Sequence, residues 1–235
     1  MGEITIDTPD GPMGAAVAEP DGTPKGAVVV VQEAFGLTSH IVDVTRRVAD
    51  AGYLAVAPAL FHRQGSPVFA YDDFASLGPV FQSLSGEQML ADVDATLGWL
   101  AAQGFAENQC GIVGFCMGGT VALVAATRHE LGAAVTYYGG GVGEGRFGFP
   151  SLVEAAPKLR SPWLGLYGDL DKGIPVDEVE QLRVASKRSI EFVDLVRYPE
   201  ADHGFNCDDR SSFHETSAKD AWGRTLLWFD RFIGR

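Results

Sequence analysis

Cys110-Gly111-Ile112-Val113-Gly114-Phe115-Cys116-Met117-Gly118-Gly119-Thr120-Val121-Ala122-Leu123-Val124-Ala125-Ala126 decides the fold. Cys110–Val113 is a short apolar run of the strand type, and Thr120–Ala126 reads as a helix. Between them lies Gly-x-Cys-x-Gly. A strand that turns sharply into a helix there lifts the middle side chain on strained backbone, a strain of about 1–3 kcal/mol that persists where function requires it. Gly114 and Gly118 fit positions where a side chain would strike neighbouring backbone. The following helix aims its N-terminal N–H groups and dipole at Cys116, which favours a thiolate and a developing oxyanion.

This strand–turn–helix resembles the nucleophile elbow of α/β-hydrolases, with Cys116 where Ser is usual. The rest of the chain agrees. Strand-like segments at Glu3–Thr8 and Gly14–Glu19 are punctuated by Pro9-Asp10-Gly11 and Asp21-Gly22-Thr23-Pro24. Ala27–Val31 is a mostly β-branched run suited to a strand buried on both faces. A helix fits His40–Ala51, with Ile41, Val44 and Val48 on one face and Ser39 as its N-cap. Tyr53–Ala57 is the next strand. Ala59–Ser85 has weak periodicity and reads as loop plus short helix, before a clearer helix at Gly86–Gln103. After the elbow come strands at Ala133–Tyr138, Trp163–Tyr167 and Phe192–Tyr198, and helices at Val176–Lys187 and Ser217–Phe232. Strands alternating with helices after a β-rich start predict an α/β fold. It has a mostly parallel sheet of about eight strands flanked by helices on both faces, in one domain over 1–235.

Composition narrows the function. A formal charge of −13 argues against binding nucleic acid through its phosphates, and an anionic substrate would need a local basic patch. No stretch approaches the roughly 20 apolar residues that span a bilayer, and none reads as a signal peptide. Three cysteines without CxxC or zinc spacing fit reduced thiols in a cytoplasmic protein, with no metal and no cofactor. Gly139-Gly140-Gly141-Val142-Gly143 lacks the Lys-Ser/Thr of a phosphate loop and reads as a flexible rim loop. Asp202, Asp208 and Asp209 lack calcium-loop spacing and read as solvated surface.

A thiol near its ordinary pKa needs a neighbouring base. Of His40, His62, His129, His203 and His214, only His203 lies in a loop directly after a late strand, where catalytic groups of open α/β sheets gather. His40 and His129 fall on helices, in solvated or capping roles. The acid that orients the imidazole belongs between Cys116 and His203, after the strand ending at Tyr167. Asp169 and Asp171 both qualify by spacing.

At these residues the chain resembles the dienelactone hydrolase family. Gln32-Glu33-Ala34-Phe35-Gly36, Gly114-Phe115-Cys116-Met117-Gly118-Gly119, Tyr137-Tyr138-Gly139, Gly168-x-x-Asp171-x-x-Ile174-Pro175 and Ala201-Asp202-His203-Gly204-Phe205 match its motifs in order. The resemblance implies a Cys116–His203–Asp171 triad, selecting Asp171 over Asp169. It implies a thioester acyl-enzyme, oxyanion donors at the N–H groups of Ala34 and Met117, and Glu33 interacting with the resting thiol. Phe35 and Tyr138 are the substrate contacts on the same motifs.

One departure bears on substrate. Dienelactone carries a carboxylate, and the resemblance implies two arginines to hold it. One should precede the Gly86–Gln103 helix and one should stand four residues after His203. Gln64–Met89 has no Arg or Lys, and the second position is Cys207. Arg63 and Arg210 are the nearest candidates. Cys207 reads as a buried pocket thiol rather than a redox partner of Cys116. The expected partner is a small lactone or ester, with no nucleic acid or membrane and a monomer or weak homodimer. The alternatives are a broad carboxylesterase and a non-catalytic small-ligand binder.

Overall fold

The computed structural model describes residues 1–234. Its strands are β1 (Gly2–Thr8), β2 (Gly11–Ala18), β3 (Ala27–Val31), β4 (Leu54–Pro58), β5 (Cys110–Phe115), β6 (Ala133–Tyr137), β7 (Trp163–Gly168) and β8 (Val193–Tyr198). They form one sheet in the order β1-β2-β4-β3-β5-β6-β7-β8. The β1–β2 and β2–β4 pairs are antiparallel, and each pair from β4–β3 to β7–β8 is parallel. The helices are α1 (Ser39–Asp50), α2 (Phe74–Gln82), α3 (Gly86–Ala102), α4 (Met117–Ala125), α5 (Leu152–Ala155), α6 (Val176–Ser186) and α7 (Glu215–Phe232).

The central strands β3 to β7 are buried at every residue, so both faces are covered, as their continuous apolar runs demand. Helices α3, α4, α5 and α6 pack side by side, while α1 and α7 lie on the sheet outside that row. Ile41, Val44 and Val48 of α1 are wholly buried on the face their spacing sets out. The hydroxyl of Tyr53 donates to Asp230 at 2.7 Å, fixing α7 near the start of β4.

Several local expectations are corrected. The α1 cap is Thr38, whose hydroxyl accepts from the Ile41 N–H, while Ser39 donates to Asp209 instead. His40 is not solvated. It is buried in α1, with Nδ1 against Asp208 and its ring edge on Phe115. His129 lies just past α4, held by Glu107 and Asp94. The glycine-rich loop is bonded in place. The Gly140 carbonyl accepts from Thr120, that of Gly141 from the Leu152 N–H, and the Gly143 N–H donates to Glu178. Helix α5, which Ser151 and Glu154 close with a reciprocal capping box, had no periodic signal because it is one turn long. Asp208 is no free surface charge; Arg47 and His40 hold it.

The elbow is where packing fixes function. A Cβ on Gly114 would collide with the Gly118 carbonyl, and one on Gly118 with the carbonyls of Val31 and Gln32. The two glycines therefore let α4 start against the ends of β3 and β5. Gly114→Ala is expected to lower stability by about 1–3 kcal/mol through overpacking. Its urea midpoint should fall, and hydrolase activity should fall further than the folded fraction does.

Candidate active site

Cys116 is a non-glycine residue at φ 53°, ψ −116°, outside the regions L-residues favour. Its N–H donates to the Tyr137 carbonyl at 3.0 Å, and its own carbonyl accepts from Gly119 and Thr120. These bonds hold the turn against its strain. The side chain is partly exposed, standing over the carboxyl end of the sheet.

His203 follows β8 and Asp171 follows β7, so neighbouring strand ends deliver both. Nδ1 of His203 donates to Asp171 Oδ2 at 2.6 Å, and the Gly173 N–H donates to Oδ1 at 2.8 Å. Asp171 is buried, with a side chain 4% exposed. The Cys116 thiol lies near enough to act on the His203 imidazole. Burial works against the imidazolium, but the negative charge at Cys116 and the Asp171 carboxylate outweigh it. The His203 pKa is raised to about 10. Asp169, the other candidate by spacing, is bound through both oxygens to Arg197 at 2.7 Å.

The Tyr138 ring lies 5.0 Å from that of His203 and packs on Phe115 and Phe205. Tyr138 has φ 38° and is fully buried, and its hydroxyl has no hydrogen-bond partner. The N–H groups of Ala34, after β3, and Met117, first in α4, donate to no backbone carbonyl. The first turn of any helix leaves such donors free.

Glu33 is wholly buried, and neither carboxylate oxygen accepts a hydrogen bond. Its neighbouring cation is Arg210, with Nη1 3.5 Å from Oε1. The guanidinium sits 5.6 Å from the ring centroids of both Phe35 and Tyr71. Arg210 thus joins the site, while Arg63 does not. Arg63 gives two bonds to buried Asp92 and one to Asp10, and His62 also bonds Asp92. Cys207 is buried and free, its thiol pushed up to about 11 by burial.

An open cleft of about 630 Å³ runs beside His203 and Arg210. Tyr71 and Phe74 line it from the segment before and at the start of α2. Both escaped the sequence reading, because α2 carries Pro79 and little amphipathic pattern; Asp73, which caps it by accepting from Ser76, was the available signal. Phe35 lies under Tyr71, with ring centroids 4.8 Å apart. Among the described residues no three His, Cys, Asp or Glu side chains converge as a metal site would.

Strand order, elbow and strand-end loops together make this an α/β-hydrolase. The match to known proteins is narrower still. The family model described as "Dienelactone hydrolase family" matches residues 13–233, and the chain belongs to that family. A Yersinia pestis protein named "Putative carboxymethylenebutenolidase" is 40% identical over 236 residues, covering 97% of this chain and 87% of its own. A Salmonella typhimurium protein of the same name is 42% identical, covering 88% and 78%. A Klebsiella pneumoniae crystal structure, described as a "Putative Dienelactone Hydrolase", has a TM-score of 0.90 and 42% identity, covering 98% of each chain. The protein is accordingly a dienelactone hydrolase-like hydrolase.

The His203 value carries a pH dependence. The folded-state pKa of about 10 exceeds the ordinary 6.5, so the contribution of charged His203 to stability is complete below pH 6.5. It is lost as pH rises through about 10. Asp171→Asn removes one of the anions responsible. The imidazole titration followed by NMR is expected to fall by at least about one unit.

Proposed function

We propose that this protein is a thiol hydrolase that cleaves lactones or carboxylic esters through a Cys116 acyl-enzyme, as a carboxymethylenebutenolidase-like enzyme would. The observation that carries the reading is a Cys116 on strained backbone beside His203, which Asp171 holds at 2.6 Å. In this reading His203 takes the thiol proton and the thiolate attacks the carbonyl carbon. The oxyanion that forms meets the N–H groups of Ala34 and Met117, donors of a kind worth about 2.7–4 kcal/mol each in the transition state. As the C–O bond breaks, imidazolium protonates the leaving oxygen. In a lactone that oxygen stays tethered to the acyl chain. His203 then deprotonates a water, which attacks the thioester; the carboxylic acid departs and the thiolate is restored. Asp171 keeps the proton on Nδ1 throughout, leaving Nε2 for the thiol and the water.

Glu33 acts on this chemistry through its field. Glu33 and Cys116 both lie close enough to act on the Tyr138 hydroxyl, and a buried carboxylate there opposes formation of a second negative charge. Arg210 offsets that opposition.

Cys116→Ala is expected to lower kcat/KM on p-nitrophenyl butanoate by at least about 10³-fold. Wild-type enzyme quenched during turnover should carry the acyl mass on the Cys116 peptide. Unchanged turnover in Cys116→Ala would overturn the reading. Glu33→Gln should speed alkylation of Cys116 by iodoacetamide at mildly acidic pH; an unaltered rate would leave Glu33 a packing residue only.

A further inference from the structure

The charge around the cleft bears on which esters it admits. Its lining carries Asp72, Asp202 and Asp209 against Arg210 and His203. Asp202 accepts from the N–H of His203, and Asp209 from the Ser39 hydroxyl, both neutral donors that leave the carboxylate charges in place. His203 is already engaged by the Asp171 carboxylate at 2.6 Å. That leaves Arg210 as the cation a substrate carboxylate could seek.

Arg210 is already engaged. Glu33 is fully buried, accepts no hydrogen bond, and has the guanidinium as its neighbouring cation at 3.5 Å. Drawing Arg210 towards a substrate carboxylate would leave a buried charge without compensation, which is far costlier than never pairing it. The guanidinium also rests against the rings of Phe35 and Tyr71, which limits its reach. Arg63, the other candidate, is held by Asp92 and Asp10. Against this the cleft mouth offers aromatic surface. Phe74 is 63% exposed, with Tyr71 beside it in the lining. Such rings accept aryl groups and attract cations to their faces.

We propose that the site takes esters or lactones with uncharged or cationic substituents and discriminates against carboxylate-bearing ones, dienelactone included. The inference rests on the Cys116 hydrolase reading and specifies its substrate class. Glu33 and Arg210 neutralise each other, and the rim carboxylates set the field an approaching substrate meets.

The test compares p-nitrophenyl esters of butanoate, 4-(trimethylammonio)butanoate and glutarate, the last bearing a free carboxylate. The Cys116→Ala protein supplies the background for each. At low salt, kcat/KM for the first two is expected to exceed that of the glutarate ester by at least about tenfold. Added sodium chloride should shrink the cation-to-anion ratio by screening, a measurement needing no variant. The Asp72→Asn, Asp209→Asn double variant should lower the same ratio severalfold, whichever way absolute rates move. A glutarate ester used as well as butanoate, with Cys116 still required, overturns the substrate inference and leaves the thiol hydrolase standing. A ratio unmoved by both salt and the double variant also overturns it. Wild-type rates in Cys116→Ala instead remove the hydrolase reading, and this inference with it.

Discussion

Everything at the site depends on how closely the start of α4 approaches the end of β3. Gly118 meets the carbonyls of Val31 and Gln32, and Gly114 meets the carbonyl of Gly118, with no room for a Cβ at either. Val28 to Val31 are wholly buried, so the β3 end is rigidly placed by the core. With that end fixed, the elbow has one way to turn, and Cys116 is held at φ 53°. The same approach brings the start of α4, which holds Met117, against the end of β3, after which Ala34 follows. Core packing thus sets the geometry of the turn that carries Cys116, and loosening one loosens the other.

The second layer of order is electrostatic. Three carboxylates lie deep in the fold, and each has its own cation or imidazole. Asp171 has His203, Asp92 has Arg63 and His62, and Glu33 has Arg210. Buried ions of this kind are tolerated when paired and costly when not. Asp92 shows a purely architectural use, joining the residues after β4 to α3 and, through Arg63 and Asp10, to the β1–β2 turn. The loop that carries His203 is anchored comparably, with Asp208 bound by Arg47 and His40 of α1 and Asp209 by Ser39. His40 in turn touches Phe115, the residue before the nucleophile. The loop of His203 and the turn of Cys116 therefore share a support in α1.

Local chemistry was legible in the sequence where a short stretch imposes its own geometry. The Gly-x-Cys-x-Gly turn, the Val28–Val31 run and the α1 stripe each appear where their pattern puts them. Contacts between distant segments were not legible. Spacing left Asp169 and Asp171 equivalent, because what separates them is Arg197, a residue of β8 that claims Asp169. Arg63 and Arg210 looked alike as chain neighbours of the site, and only Asp92, buried in α3, distinguishes them. Tyr71 and Phe74 belong to a segment whose sequence lacks periodicity, because it packs as a small separate cluster on Ala34, Phe35 and Leu77. Glu33 was visible as a residue but not its partner, which arrives from 177 positions later in the chain.

Cys207 explains how that partner came to be internal. Four residues after His203 the chain carries Cys207 rather than a long cation. That small thiol is buried, with its pKa pushed up to about 11 by burial. The guanidinium enters three residues further on, after the chain has turned through the Cys207–Arg210 backbone bond. From there it reaches Glu33 and lies against Phe35 and Tyr71 rather than projecting at the reacting carbonyl. Arg210 is the counter-ion that makes a buried Glu33 tolerable. In the proposed reading, reaction chemistry and substrate choice would then rest on different residues: the elbow, His203 and Asp171 for the first, and the loop after His203, through Arg210, for the second.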